Sequence, residues 1–157
     1  MRVFLIVVCF VAYSSAHMCL ISPPQRGSMM GINKQGANDC VLTKMSCGGR
    51  MATSPSVGVR AGMNFTVTFQ KNLDHWVKAT PGYFSISMGT DDKGTFKELA
   101  RINDMGEPSL TLFSRNVTIP DNAIGMSVGV IQVTYVTKNP DAPAVFYQCS
   151  DVYVFRD

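Results

Sequence analysis

The sequence predicts an all-β fold, an immunoglobulin/fibronectin-like β-sandwich whose early part is a loop-rich segment braced by disulfides. Three observations predict it. Apolar and polar residues alternate in several short runs from residue 64 onward, the period of half-buried strands. Clusters of Gly, Pro, Asn and Asp separate these runs and mark turns. Cysteines concentrate where that alternation is missing, at Cys19, Cys40 and Cys47.

Taken in order, residues 1–16 read as a signal peptide. Met1-Arg2 gives a positive start, residues 3–11 an apolar run, and Ser14 and Ala16 the small residues of a cleavage site. A cut after Ala16 makes His17 the first residue of one domain, 17–157, of a size that carries a single core. The formal charge of +3 includes Arg2, and there is no Lys/Arg run, so nucleic acid binding has no support. No later apolar stretch is long enough to span a bilayer, and residues 152–157 are too short and charged for a lipid-anchor signal. A secreted, soluble, monomeric protein is expected.

Cys9 leaves with the leader. Cys19, Cys40, Cys47 and Cys149 remain, an even set that in an oxidising compartment reads as two disulfides with three possible pairings. Three are early and one is late, so at least one bridge ties the two ends of the chain together. The rival, a zinc site, does not suit the spacing of Cys40 and Cys47.

Residues 17–55 are rich in Gly and Pro and read as loop, with an edge strand over 18–22. Met29, Met30 and Met45 suggest a thioether copper(I) site, but without a repeated Met-x-x-Met spacing most methionines are expected to be core filler. Strands are expected over 64–70, 83–88, 125–137 and 144–155, and residues 96–101 as a short helix or an edge strand. Asn64-Phe-Thr and Asn116-Val-Thr are N-glycosylation sequons, which place Asn64 and Asn116 on the surface.

The chemistry begins at His17. An N-terminal histidine offers its α-amine and its ring Nδ1 to one metal ion; the amine must lose a proton to bind, which favours an ion that competes well for nitrogen. Copper(II) stands at the top of the divalent affinity order. His75 is the other histidine of the chain, and it follows the strand that ends near Gln70, in a loop where a sandwich displays functional residues. It supplies a third nitrogen if the two histidines converge. On the last strand, Phe146, Tyr147 and Asp151 are candidates for an axial or neighbouring position. Phe146 and Tyr147 point to opposite faces, so at most one of them faces a site directly.

An N-terminal histidine released by cleavage, Pro23-Pro24-Gln25-Arg26-Gly27, a second histidine after a strand, and the closing Phe146-Tyr-Gln-Cys-Ser-Asp151 together resemble the lytic polysaccharide monooxygenase superfamily. Within it the chain looks most like the small copper-acquisition proteins first described in fungi. The resemblance implies one copper ion in a histidine brace, held by the amine and ring of His17 and the ring of His75. It implies that Phe146 matches the aromatic that shields the axial position in many of the monooxygenases. The copper-acquisition proteins use an aspartate as a further ligand, for which Asp151, Asp74 and Asp141 are the candidates here.

Two functions follow. One is a secreted copper-binding protein for extracellular copper capture or delivery. The alternative is a copper-dependent monooxygenase acting on chitin or a related polysaccharide. Fewer than sixty residues separate His17 from His75, short for the loops that build a polysaccharide platform, and only Trp76, Tyr83 and Tyr147 could furnish its aromatics. A disulfide-braced adhesion module with incidental histidines is the third class.

Overall fold

The computed structural model describes residues 17–123 and 128–156; the expected signal peptide and residues 125–127 of the expected strand lie outside them. Among the described residues, eight strands form two sheets. They are β1 (His17–Ser22), β2 (Val57–Arg60), β3 (Asn64–Leu73), β4 (Tyr83–Gly89), β5 (Lys97–Asn103), β6 (Thr111–Thr118), β7 (Val128–Val136) and β8 (Val145–Phe155). One sheet has the order β1-β3-β6, the other β2-β8-β7-β4-β5, and among the described residues only the β2–β8 pair is parallel. No helix among the described residues is long and apolar enough to cross a membrane. The expected sandwich is the observed fold.

The core forms where the inward phases of the strands meet. On β3, Val67 and Phe69 are buried while Thr66 is exposed. Phe69 packs at a tilt against Phe84 of β4 at 5.0 Å between ring centroids, and Phe84 lies 4.4 Å from Tyr135 of β7. Phe146 of β8 closes this aromatic row beside Tyr135 at 6.5 Å. Residues 96–101 resolve in favour of the edge strand: β5 pairs with β4 alone and leaves most of its residues partly exposed. The pattern of β6 is too weak to predict a strand, with Leu112 exposed and Ser114, Arg115 and Asn116 polar. It becomes a strand because β3 supplies eight consecutive partners for it.

The loop-rich segment bonds to both sheets, through Ala37 to Asn72 of β3 and through Leu42 and Arg26 to Tyr147 and Cys149 of β8. Its disulfides are Cys19–Cys40 and Cys47–Cys149, so the second ties the early loop to the last strand across 102 positions. Arg26 makes the same connection with charge. Its Nε and Nη2 donate to the two carboxylate oxygens of Asp151 at 2.9 and 2.6 Å, with both side chains 2% exposed. The methionines depart from expectation. Met18 and Met88 are buried, but Met30, Met45, Met51, Met63 and Met105 are 52–86% exposed on the surface. They lie in loops and turns at the periphery, beyond the reach of the inter-sheet core.

Candidate metal centre

The register of β1 on β3 decides where the two histidines lie. His17 pairs with Leu73, the last residue of β3, and His75 follows two positions later. Between the partners of His17 and Met18, β3 carries an extra residue, Asn72. Bulges of this kind re-aim side chains and are frequent beside functional sites.

Asn72 is fully buried and ties the loop to this corner: its Oδ1 accepts the Ala37 N–H at 3.0 Å and its Nδ2 donates to the Lys34 carbonyl at 3.0 Å. The loop thereby passes close over His17. Gly36, at φ +76°, approaches so nearly that a Cβ there would lie 3.8 Å from His17 Cε1. Both imidazoles are enclosed, His17 at 5% and His75 at 4% exposure.

The main chain at His75 is held from several sides. Asn139 Nδ2 donates to its carbonyl at 3.1 Å, and its main chain lies beside the Tyr135 hydroxyl. Before it, the Asp74 N–H donates to Ser109 Oγ at 2.9 Å; after it, the Trp76 N–H donates to Asp74 Oδ1 at 2.9 Å. The Trp76 ring covers Gly106, where φ is +87° and a Cβ would come within 3.0 Å of the indole.

Beneath the loop lies a charged cluster that sequence reasoning missed. Lys71, Asp104 and Tyr135 are each fully buried, with Lys71 Nζ 2.6 Å from Asp104 Oδ1 and the Tyr135 hydroxyl donating to Asp104 Oδ2. Burial opposes the charge of Asp104, but the Lys71 ammonium, the Tyr135 hydroxyl and the Gly106 N–H outweigh it and hold this carboxyl below the ordinary range. The Tyr135 phenol is pushed up, first by burial and then by the neighbouring Asp104 carboxylate. One signal was available in the sequence: Lys71 continues the inward phase of Phe65, Val67 and Phe69, where a lysine demands a buried partner.

The axial candidates separate. Phe146 faces the interior beside Tyr135. Tyr147 is half-buried on the opposite phase, and its N–H donates to the Leu42 carbonyl at 2.8 Å. Asp151 is engaged by Arg26 and Thr53. It shares the outward phase of Cys149, five residues and about 16 Å along β8 from Phe146, and its oxygens serve Arg26, the Thr53 N–H at 2.8 Å and the Thr53 hydroxyl at 3.0 Å. Asp74 Oδ1 lies 2.5 Å from Lys71 Nζ. Asp141 is exposed in the turn that also carries Asn139, the residue bound to the His75 carbonyl.

Among the described residues, no three His, Cys, Asp or Glu side chains form a preassembled metal cluster. A metal site built on an N-terminal histidine would need none, because one of its nitrogens would come from the main chain. The donor chemistry of two enclosed imidazoles at one sheet end fits a nitrogen-seeking ion such as copper(II).

No protein-family model and no curated protein matches the sequence. Solved structures do match the fold. A polysaccharide monooxygenase of the CBM33 type aligns at TM-score 0.56 and 15% identity, over 88% of this chain and 100% of that one. A lytic polysaccharide monooxygenase from Jonesia denitrificans aligns at TM-score 0.53 and 13% identity, over 88% and 100%. A cellulose-active lytic polysaccharide monooxygenase in complex with copper aligns at TM-score 0.50 and 16% identity, over 87% and 98%. The chain has the fold of these proteins.

Proposed function

We propose that this chain is a secreted copper-binding protein that holds one copper ion in a histidine brace and serves extracellular copper capture or delivery. Cleavage of the Ala16–His17 bond would convert the His17 peptide nitrogen into an amine, and that amine with the rings of His17 and His75 would hold the ion. Bound there, copper would supply a redox centre or a transferable cargo. The observation that carries the reading is the β1–β3 register, which sets two enclosed histidines at one end of the small sheet. Asn72 and Asn139 hold the main chain at that end.

Two observations favour handling over catalysis. None of Trp76, Tyr83 and Tyr147 is exposed as a stacking surface: all three are half-buried, with Trp76 over Gly106 and Tyr83 beneath the Arg101 guanidinium at 4.0 Å. The exposed Tyr153 and Phe155 lie toward the far end of β8 from Phe146. Exposed thioethers also border the loops concerned, Met30 before Gly36 and Met105 beside Gly106, and soft sulfur suits copper(I). The enzyme reading retains Phe146, which faces inward as an axial shield would, and the fold shared with polysaccharide monooxygenases.

Protein processed to begin at His17 should bind one copper(II) with a nitrogen-rich EPR spectrum, and one added residue before His17 should abolish that spectrum. An unchanged spectrum in the extended protein would sink the brace. Oxidised oligosaccharides released from chitin or cellulose, with reductant and peroxide present, would instead establish the enzyme.

A further inference from the structure

The buried cluster under the His75 loop has no part in holding the ion directly. Lys71 occupies an inward position of β3 where the preceding inward residues are Val67 and Phe69. Its ammonium reaches Asp104 Oδ1 at 2.6 Å and Asp74 Oδ1 at 2.5 Å, so one buried cation joins the end of β5 to the residue before His75. Asp104 accepts the Tyr135 hydroxyl and, at 3.0 Å, the Gly106 N–H. The His75 main chain lies beside the Tyr135 hydroxyl.

A well-packed apolar set of similar volume would be as stable as a buried ion cluster, or more so. Stability alone therefore does not account for four polar groups in this place. Directionality does: the Lys71 ammonium holds Asp74, the neighbour of His75, while the Tyr135 hydroxyl and the Gly106 N–H orient the Asp104 carboxylate that holds Lys71, and a greasy contact would leave these groups free to slide.

We propose that Lys71, Asp104 and Tyr135 are positioning residues for the copper site, fixing the main chain at His75 so that its ring is presented to the metal in one orientation. The inference rests on the copper reading above. Groups behind a metal ligand commonly change affinity by roughly 10–100-fold when removed.

The test uses protein processed to begin at His17 and compares wild type with Tyr135→Phe, Asp104→Ala and Asp104→Asn. Copper(II) affinity is measured by chelator competition, ligand geometry by EPR, and metal-free stability by urea unfolding. Tyr135→Phe keeps the ring stacked on Phe84 and removes only the hydroxyl. It should weaken copper(II) by roughly tenfold or more and shift the g and hyperfine values. Asp104→Ala should do the same, and Asp104→Asn, which restores a hydrogen-bonding group, should recover part of the loss.

Variants with lower metal-free stability but wild-type affinity and spectrum would overturn the inference and reduce the cluster to a structural one. If Asp104→Ala does not fold, Tyr135→Phe decides alone. A wild-type protein lacking the nitrogen-rich spectrum would overturn the copper reading and this inference with it. A wild-type spectrum that survives unchanged in Tyr135→Phe would overturn the inference only.

Discussion

Replacing Asp151 with asparagine separates two roles that the last strand offered this residue. In the structure it is 4% exposed and accepts four hydrogen bonds: two from Arg26, at 2.9 and 2.6 Å, and two from Thr53, at 2.8 and 3.0 Å. Asn keeps the shape and removes the charge opposite a guanidinium that is 2% exposed. Breaking one side of a buried pair costs about 3–5 kcal/mol. Arg26 retains Asp92 at 2.9 Å and the Arg50 carbonyl at 3.0 Å, which places the expected loss near the lower bound, about 3 kcal/mol.

In urea, with m of about 1–3 kcal/mol/M, the midpoint should fall by roughly 1–3 M. The pH dependence has a definite sign. Burial raises the Asp151 pKa, but the Arg26 and Thr53 hydrogen bonds outweigh it and hold the folded value below the ordinary one. Its contribution is therefore fully present above the unfolded carboxylate pKa of about 3.9 and is lost as pH falls through the folded value. The gap between wild type and Asp151→Asn should stay constant from neutral pH to about 5 and close below about 4. Copper(II) affinity and EPR of the processed protein should not change. Retained stability with a shifted copper spectrum would refute this reasoning and return Asp151 to the metal.

Three further outcomes are expected. Cys47→Ser/Cys149→Ser opens a loop of 102 positions and Cys19→Ser/Cys40→Ser one of 21, so chain entropy predicts losses of about 4.7 and 3.3 kcal/mol; urea unfolding that reverses this order would argue against loop length as the governing cause. Phe69→Ala, at a ring fully buried against Phe84 and Phe113, should cost about 3–5 kcal/mol by the same assay, and a loss below about 1 kcal/mol would contradict the core described. Asn64 and Asn116 are exposed and face each other diagonally across β3 and β6, where each sequon's threonine hydroxyl donates to the other's asparagine, at 2.6 and 2.9 Å. In secreted protein from eukaryotic cells, glycosidase should remove two glycans from wild type and one from Thr66→Ala; an unglycosylated wild type would discount both sequons.

By itself the sequence determined what neighbours along the chain can encode. Alternation in β3 and β4 is written in adjacent residues, and so were the sandwich and most of its strands. The candidate histidines were legible for a related reason: one stands at a cleavage motif and the other follows a clear strand, both local facts. What depends on a distant partner was decided only by the tertiary structure. It selected one disulfide pairing of three, and it made β6 a strand because β3 lay beside it. It gave Asp151 to Arg26, 125 positions away in the chain. It also gave Lys71 an inward place that Asp104 and Asp74 make tolerable. A buried charge must find its counter-charge in space, and no local pattern states where that partner will be.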